Sequence, residues 1–194
     1  TNVPYYVGTK IQNAKIDPLA DVIYNGKSFP TFMSSDLKIE AGQITFIDTN
    51  SDNLYDLLLV EEYVDVVISG VDTTTQCVYD YFGNSYSFSD DAFVTIYDKN
   101  MNIIDASQLT TNAVMSIYKS KDGECVKYVF CADRVTGDVT VKDERDGKTY
   151  ITIGDTEYGF SPSLLLKLEE GYSGIEIPEL GTNVNAYLNF EGKI

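Results

Sequence analysis

An all-β fold is predicted by three observations. Runs of four to six residues rich in Val, Ile, Phe and Tyr recur at intervals of roughly 10 to 20 residues. Turn-forming pairs separate them, among them Asn25-Gly26, Gly83-Asn84, Lys99-Asn100 and Asp122-Gly123. Only one segment carries a full set of helix start and stop signals. Such spacing is the habit of sandwiches and small barrels.

The elements follow in chain order. Val3 to Val7 and Asp21 to Tyr24 are strand-like, and the second leads into Asn25-Gly26, which favours the positive φ of a tight hairpin. Ile44 to Ile47 and Leu57 to Val60 flank a polar loop and read as a hairpin with a long turn. Val64 to Ile68, Cys77 to Phe82, Phe93 to Tyr97, Val114 to Tyr118 and Val126 to Phe130 complete the strand-like runs. Ser34 to Leu37 and Asp105 to Leu109 are long enough for one helical turn each. The segment near 162–170 has Ser161 as a cap, Pro162 at the first helical position and Gly171 just past the end, which predicts a two-turn helix.

A repeat is superimposed on this pattern. Tyr86-Ser87-Phe88-Ser89 returns as Tyr158-Gly159-Phe160-Ser161, Leu109-x-x-Asn112 as Leu180-x-x-Asn183, and Asp122-Gly123-Glu124 as Glu191-Gly192-Lys193. The reading is one small β-barrel or sandwich module written twice, with Phe88 matching Phe160 and Leu109 matching Leu180 in the core. Three parts are expected: 1–72, an N-terminal β unit with an acidic hairpin loop; 73–137, the first module; and 138–194, a second copy that is incomplete or decorated. The helix falls where the first copy has Asp90-Asp91-Ala92-Phe93, so it reads as an insertion. The second copy stops where the first runs on into a strand, so the chain is expected to be a cut from something longer. Modules of roughly 60 to 70 residues keep only a marginal core, so neighbours are expected to lean on one another.

Composition excludes several functions. The chain is 43% hydrophobic and 12% aromatic, which is that of a folded protein. Thirty acidic against 14 basic residues give a net charge of −16, which repels phosphate backbones and anionic headgroups, so neither nucleic acid nor a membrane surface is an expected partner. No run approaches the ~18 apolar residues of a membrane span, which argues against membrane insertion. Thr1 opens no charged-then-apolar leader, so any secretion signal or anchor is expected outside this stretch.

The cysteines number three. Cys125 and Cys131 lie in one apparent strand, ~20 Å apart at about 3.3 Å per residue, beyond disulfide reach. Cys77 could pair with either, and three free thiols are the expected state.

Catalysis has little to stand on. No His is present, which removes the Ser-His-Asp and Cys-His arrangements and the commonest general base. The pairs Asp90-Asp91, Glu61-Glu62 and Glu169-Glu170 could in principle flank a glycosidic bond. Adjacent acids arise readily among 30, and neighbouring strand residues face opposite ways. A non-enzymatic role is expected.

One constellation stands above this background. Asp48, Asn50, Asp52 and Asp56 occupy positions 1, 3, 5 and 9 of a loop, with the Leu54 carbonyl at position 7, an alternation that suits a hard cation such as calcium. Asn53 replaces the usual Gly at position 6, and Leu59 stands where a helix-loop-helix hand supplies a bidentate Glu. The flanks are strands, so the comparison is with calcium-binding β repeats. The competing reading is an Asp/Asn-rich turn whose side chains cap their own backbone. The 15 Tyr likewise suit core and cross-strand packing, or a carbohydrate or protein contact face.

The segment Gly42 to Val60, followed by Tyr63 and Val66-Val67, resembles a pattern in large secreted or wall-associated proteins of Gram-positive anaerobes, which often carry surface-layer homology modules. The stretches Ile104 to Leu109 and Ser116 to Glu124 resemble the small β-barrel modules that accompany it. The resemblance spans roughly residues 24 to 194 and brings no catalytic residues. It implies an extracellular or cell-surface structural or adhesive ectodomain segment whose partners are other protein modules or cell-wall glycan. Two alternatives stay open: a phage or other particle structural protein, located in the virion, and a carbohydrate-binding accessory module.

Overall fold

Asn25 and Gly26 both adopt positive φ, 46° and 84°, the pair of left-handed residues that a two-residue hairpin of matching twist demands. The hairpin predicted from that dipeptide is present in the computed structural model, which describes residues 2–7, 10–89, 93–145 and 147–194. The chain is mostly β, with 51% of residues in strands and 8% helical, and the described residues form two sheets and one α-helix. It divides into two compact units, Thr1–Tyr63 with Tyr118–Val126, and Val64–Ile117 with Lys127–Ile194.

In the first unit, β1 (Asn2–Val7) pairs antiparallel with β2 (Lys10–Tyr24), which turns at Asn25-Gly26 into β3 (Lys27–Ser28). β4 (Gly42–Ile47) pairs antiparallel with the first half of β5 (Tyr55–Asp72), as the long-turn hairpin predicted. β2 and β5 pair in parallel from Asp21–Leu57 to Tyr24–Val60, with a register break between Ile16 and Asp21. Pro18 lies in that break, where a residue without an N–H leaves no ladder bond unmade. Ile16, Val22, Tyr24, Leu58 and Val60 form the core, closed by Leu37 from a 3-10 turn at Ser34–Leu37 and by Phe29, Phe32 and Phe46. Gly42 has φ of 122°, and a Cβ there would sit 1.8 Å from the Glu61 carbonyl oxygen, so no other residue fits.

The two runs Leu57 to Val60 and Val64 to Ile68, expected as separate strands, are one strand of 18 residues. No turn residue lies between them. Glu61 and Glu62 are strand residues that accept bonds from Gln43 Nε2 and from the Tyr24 hydroxyl.

In the second unit, the end of β5 pairs antiparallel with β6 (Cys77–Asp80), which pairs with β7 (Ser85–Ser87). β8 (Val94–Asp98), β9 (Val114–Lys119) and β10 (Val126–Cys131) follow, and a 3-10 turn at Ala106–Gln108 is capped by Asp105. The other sheet contains β11 (Arg134–Arg145), β12 (Lys148–Ile153), β13 (Thr156–Gly159) and β14 (Asn183–Tyr187) in the order β13-β12-β11-β14. Helix α1 (Pro162–Glu169) adds Leu164, Leu165 and Leu168 to the core of Val139, Ile151, Ile153 and Phe160 on this sheet. Among the described residues no sheet closes into a barrel, which corrects that part of the expectation. Four strands ending in the edges β13 and β14 are too few to close around a filled interior.

Two buried residues make the same backbone bonds in this unit. The Ile68 N–H donates to the Ala113 carbonyl at 2.9 Å, and the Asn112 N–H donates to the Ile68 carbonyl at 2.8 Å. The Val139 N–H donates to the Thr182 carbonyl at 3.0 Å, and the Gly181 N–H donates to the Val139 carbonyl at 2.8 Å. Each is followed by a register shift, Ile68/Gly70 against β6 and Val139/Val141 against β12. Phe88 and Phe160 donate in parallel fashion to Gln76 and Thr149. The expected pairing of Leu109 with Leu180 fails: Leu109 is 6% exposed and Leu180 60%. Asn112 answers to Gly181 in these bonds, so the Leu-x-x-Asn echo is two residues out of register, and Pro178 stands where Leu109 does.

Candidate ligand cleft

Asp65 sits in an otherwise apolar strand run, Val64 to Ile68, and is buried. Strand alternation turns it inward together with Tyr63. A carboxylate in that position must be hydrogen-bonded, and two other segments reach it to do so. Ser116 on β9 donates its hydroxyl to one carboxylate oxygen, and Asn189, after β14, donates Nδ2 to the other at 2.9 Å. The Asp65 N–H donates to the Ser163 hydroxyl of α1 at 2.8 Å. Burial pushes the Asp65 carboxyl above the ordinary value; the bonds from Ser116 and Asn189 oppose this only in part, and Glu191 adds to the rise while Lys193 works against it.

Helix α1 is set by the signals read from the sequence. The Ser161 hydroxyl accepts the Leu164 N–H, Pro162 opens the first turn, and Gly171 leaves the helix at φ of 68°. One face of the helix then lies along a cleft of about 460 Å³, whose walls include Val67, Ile151, Leu164, Leu168, Ile175 and Val184, with Asp65 also in the lining.

Phe82 lines the cleft, and Tyr172 packs against it outside the lining. Phe82 and Tyr172 meet edge to face with ring centroids 5.0 Å apart, and the Lys167 ammonium rests 3.8 Å from the Phe82 centroid and 4.9 Å from that of Tyr172. The two residues are 37% and 42% exposed, so neither is closed off from solvent. Phe82 is presented by the turn from Asp80 to Asn84. There the Asp80 carboxylate accepts the N–H groups of Phe82 and Asn84 at 2.8 and 2.9 Å, the Asn84 amide at 2.8 Å and the Tyr86 hydroxyl at 3.0 Å. Burial pushes Asp80 up, but the bonds from Asn84, Phe82 and Tyr86 outweigh it and hold the carboxyl below its ordinary value. Burial and the same carboxylate raise the Tyr86 phenol.

The residues proposed for calcium lie elsewhere, in the β4–β5 loop. Asp48 accepts the Ser51 and Asn53 N–H groups at 2.7 and 2.9 Å, Asn50 that of Asp52 at 2.9 Å, and Asp52 that of Leu54 at 2.8 Å. Asp56 accepts the Thr49 N–H at 2.9 Å and its hydroxyl at 2.5 Å; the hydroxyl bond is the larger cause of a carboxyl held below its ordinary value. Ser51 and Asn53 take positive φ, 64° and 70°. The side chains turn onto the loop's own backbone, and among the described residues no three His, Cys, Asp or Glu side chains are grouped as a ligand set.

Of the acid pairs, Glu61 and Glu62 take different partners, and Asp90-Asp91 lies outside the described residues. All three thiols are unpaired, with Cys131 buried and its pKa raised by burial. Sequence reasoning missed the cleft, Asp65 and Asn189. The available signal was a lone Asp inside the apolar run Val64 to Ile68, because a charge there has to be met by partners from other segments. Comparison with protein-family models, curated proteins and solved structures returns no match.

Proposed function

We propose that this chain is a non-enzymatic structural or adhesive segment of a bacterial cell-surface protein, built from tandem β modules that contact other protein modules or cell-wall glycan. The matched bonds of Ile68 and Val139 carry this reading. A strand order β7-β6-β5-β9 with a register shift in β5 recurs as β13-β12-β11-β14 with a shift in β11. Repetition of one unit along a chain builds extended surfaces and multiplies weak contacts, which suits adhesion more than turnover. Phe82 and Tyr172 supply the contact face, since exposed rings stack on sugars and protein side chains alike. Calcium in the Asp48 to Asp56 loop would stiffen the β4–β5 hairpin that the resemblance to wall-associated proteins includes.

Sedimentation with purified sacculi of a Gram-positive anaerobe tests this. The chain is expected to co-sediment, and the Phe82→Ala, Tyr172→Ala double variant to do so several-fold less. Recovery of the native protein in cytosolic or particle fractions, with no sacculus binding, would overturn the reading in favour of a particle component. One observation favours that second reading: three unpaired thiols suit assembly in a reducing cytoplasm. The same aromatic pair would serve a carbohydrate-binding accessory module, and saturable binding of one soluble oligosaccharide on a glycan array would single that out.

A further inference from the structure

We infer that the cleft of the second unit binds an amphiphilic carboxylate: an aliphatic acid whose hydrocarbon body lies among Val67, Ile151, Leu164 and Leu168 and whose head group meets Lys167. The cleft, about 460 Å³, is within the range of small-molecule sites and has the apolar lining such sites share. An aliphatic chain there removes apolar wall from water and meets no polar group in need of a partner.

Lys167 fixes the charge of the head group. Lys27, Lys99, Lys142, Arg145 and Lys193 each pair with a carboxylate and so have their charge met within the chain. Lys167 lines the cleft and has no ion-pair partner among the described residues; it is held over Phe82 and Tyr172 instead. Ring faces position an ammonium without neutralising it, so its charge stays available to a ligand.

The other charges in the wall are already engaged. Asp65 accepts from Ser116 and Asn189, and Lys193 pairs with Glu191. Glu176 also lines the cleft but is solvent-exposed, where its repulsion of an anion is screened. The selectivity therefore runs against the net charge of the protein and rests on one side chain.

Titration calorimetry of the whole chain with decanoate, decanol and decylammonium at low salt tests this. Decanoate is expected to bind saturably at one site, about three- to fivefold tighter than decanol, the size of one exposed ion pair. Lys167→Met should bring decanoate down to the decanol value and leave decanol unchanged. Ile175→Trp, which fills the cleft from a loop, should weaken both ligands in protein whose melting temperature matches wild type. The inference is overturned by no saturable binding, by decanol or decylammonium binding as tightly as decanoate, or by Lys167→Met weakening decanoate and decanol equally. This test makes no use of sacculi, so its outcome is separate from that of the surface reading.

Discussion

Asn189 donates its Nδ2 to the Asp65 carboxylate at 2.9 Å across 124 residues of chain, and this bond explains why an asparagine heads the last hairpin turn. Three turns share one design. In Asp80 to Asn84, Asp98 to Asn102 and Asn189 to Lys193 the first side chain accepts N–H groups two and four residues on, at 2.8 and 2.9, 2.8 and 2.9, and 3.0 and 3.0 Å. In the first two, a second Asp oxygen takes the amide of Asn84 or Asn102 at 2.8 or 2.9 Å. In the third, the corresponding atom faces a buried carboxylate and has to be a donor.

Asn189→Asp keeps the turn and sets one carboxylate against another inside the second unit. An uncompensated buried charge costs about 3 kcal/mol or more, and protonating one of the pair relieves it. Urea midpoints are expected to fall sharply at pH 7 and to recover toward wild type near pH 4. A loss of equal size at both values would show that the damage is steric.

Asp65 and Asp80 should titrate in opposite directions from the ordinary 3.8. Burial raises Asp65, so the folded state binds its proton more tightly than the unfolded chain does. Its contribution to stability is therefore full below 3.8 and is lost as pH rises through its folded pKa. For Asp80 burial is outweighed by hydrogen bonds, so its contribution is present above 3.8 and is lost as pH falls through its lower folded pKa. Carboxyl-carbon NMR titration should place Asp65 above 3.8 and Asp80 below. An Asp65 midpoint at or below 3.8 contradicts the buried, uncharged-partner environment described for it.

Much of the fold was legible because its signals are local. Ser161, Pro162 and Gly171 bound the helix through local signals, and Asn25-Gly26 takes the pair of positive φ values that its own backbone preference favours. The parallel pairing of β2 with β5 was not legible, because nothing in the run Asp21 to Tyr24 distinguishes Leu57 from any other apolar partner. The cleft failed for the same reason: Asp65, Ser116, Ser163 and Asn189 are far apart in sequence and each is unremarkable where it stands. The β4–β5 loop attracted notice through its spacing of oxygen side chains, and an Asx turn and a cation site use that spacing alike.

Met101 holds φ of 65° in the turn from Asp98 to Asn102, where the sister turn has Gly83 at 84°. A side chain in the left-handed region costs about 1 kcal/mol or more, and glycine gives part of that back through the freer unfolded chain. Met101→Gly is expected to stabilise by about 0.5 kcal/mol, and Gly83→Ala to destabilise by about 1 kcal/mol. Thermal melts of the two variants check the pair; a destabilised Met101→Gly would mean that the exposed Met side chain has packing value in the fold.

Calcium is the last expectation. Each carboxylate oxygen that accepts an N–H in the Asp48 to Asp56 loop retains a second lone pair, but Asp48, Asp52 and Asp56 are not grouped around one point, so a shared cation requires these side chains to turn toward one another. Three carboxylates without a bidentate Glu imply a Kd of order 10⁻⁴ to 10⁻³ M. At 10 mM calcium that is worth about 1.4 to 2.7 kcal/mol through RT ln(1 + [L]/Kd). Asp52→Ala should remove this increment at small cost in EDTA, since Asp52 holds one N–H, whereas Asp48→Ala should cost about 1 to 2 kcal/mol in EDTA because Asp48 holds two. An equal calcium shift in wild type and Asp52→Ala, or no shift in either, would leave the loop as a self-capped turn and end the metal reading.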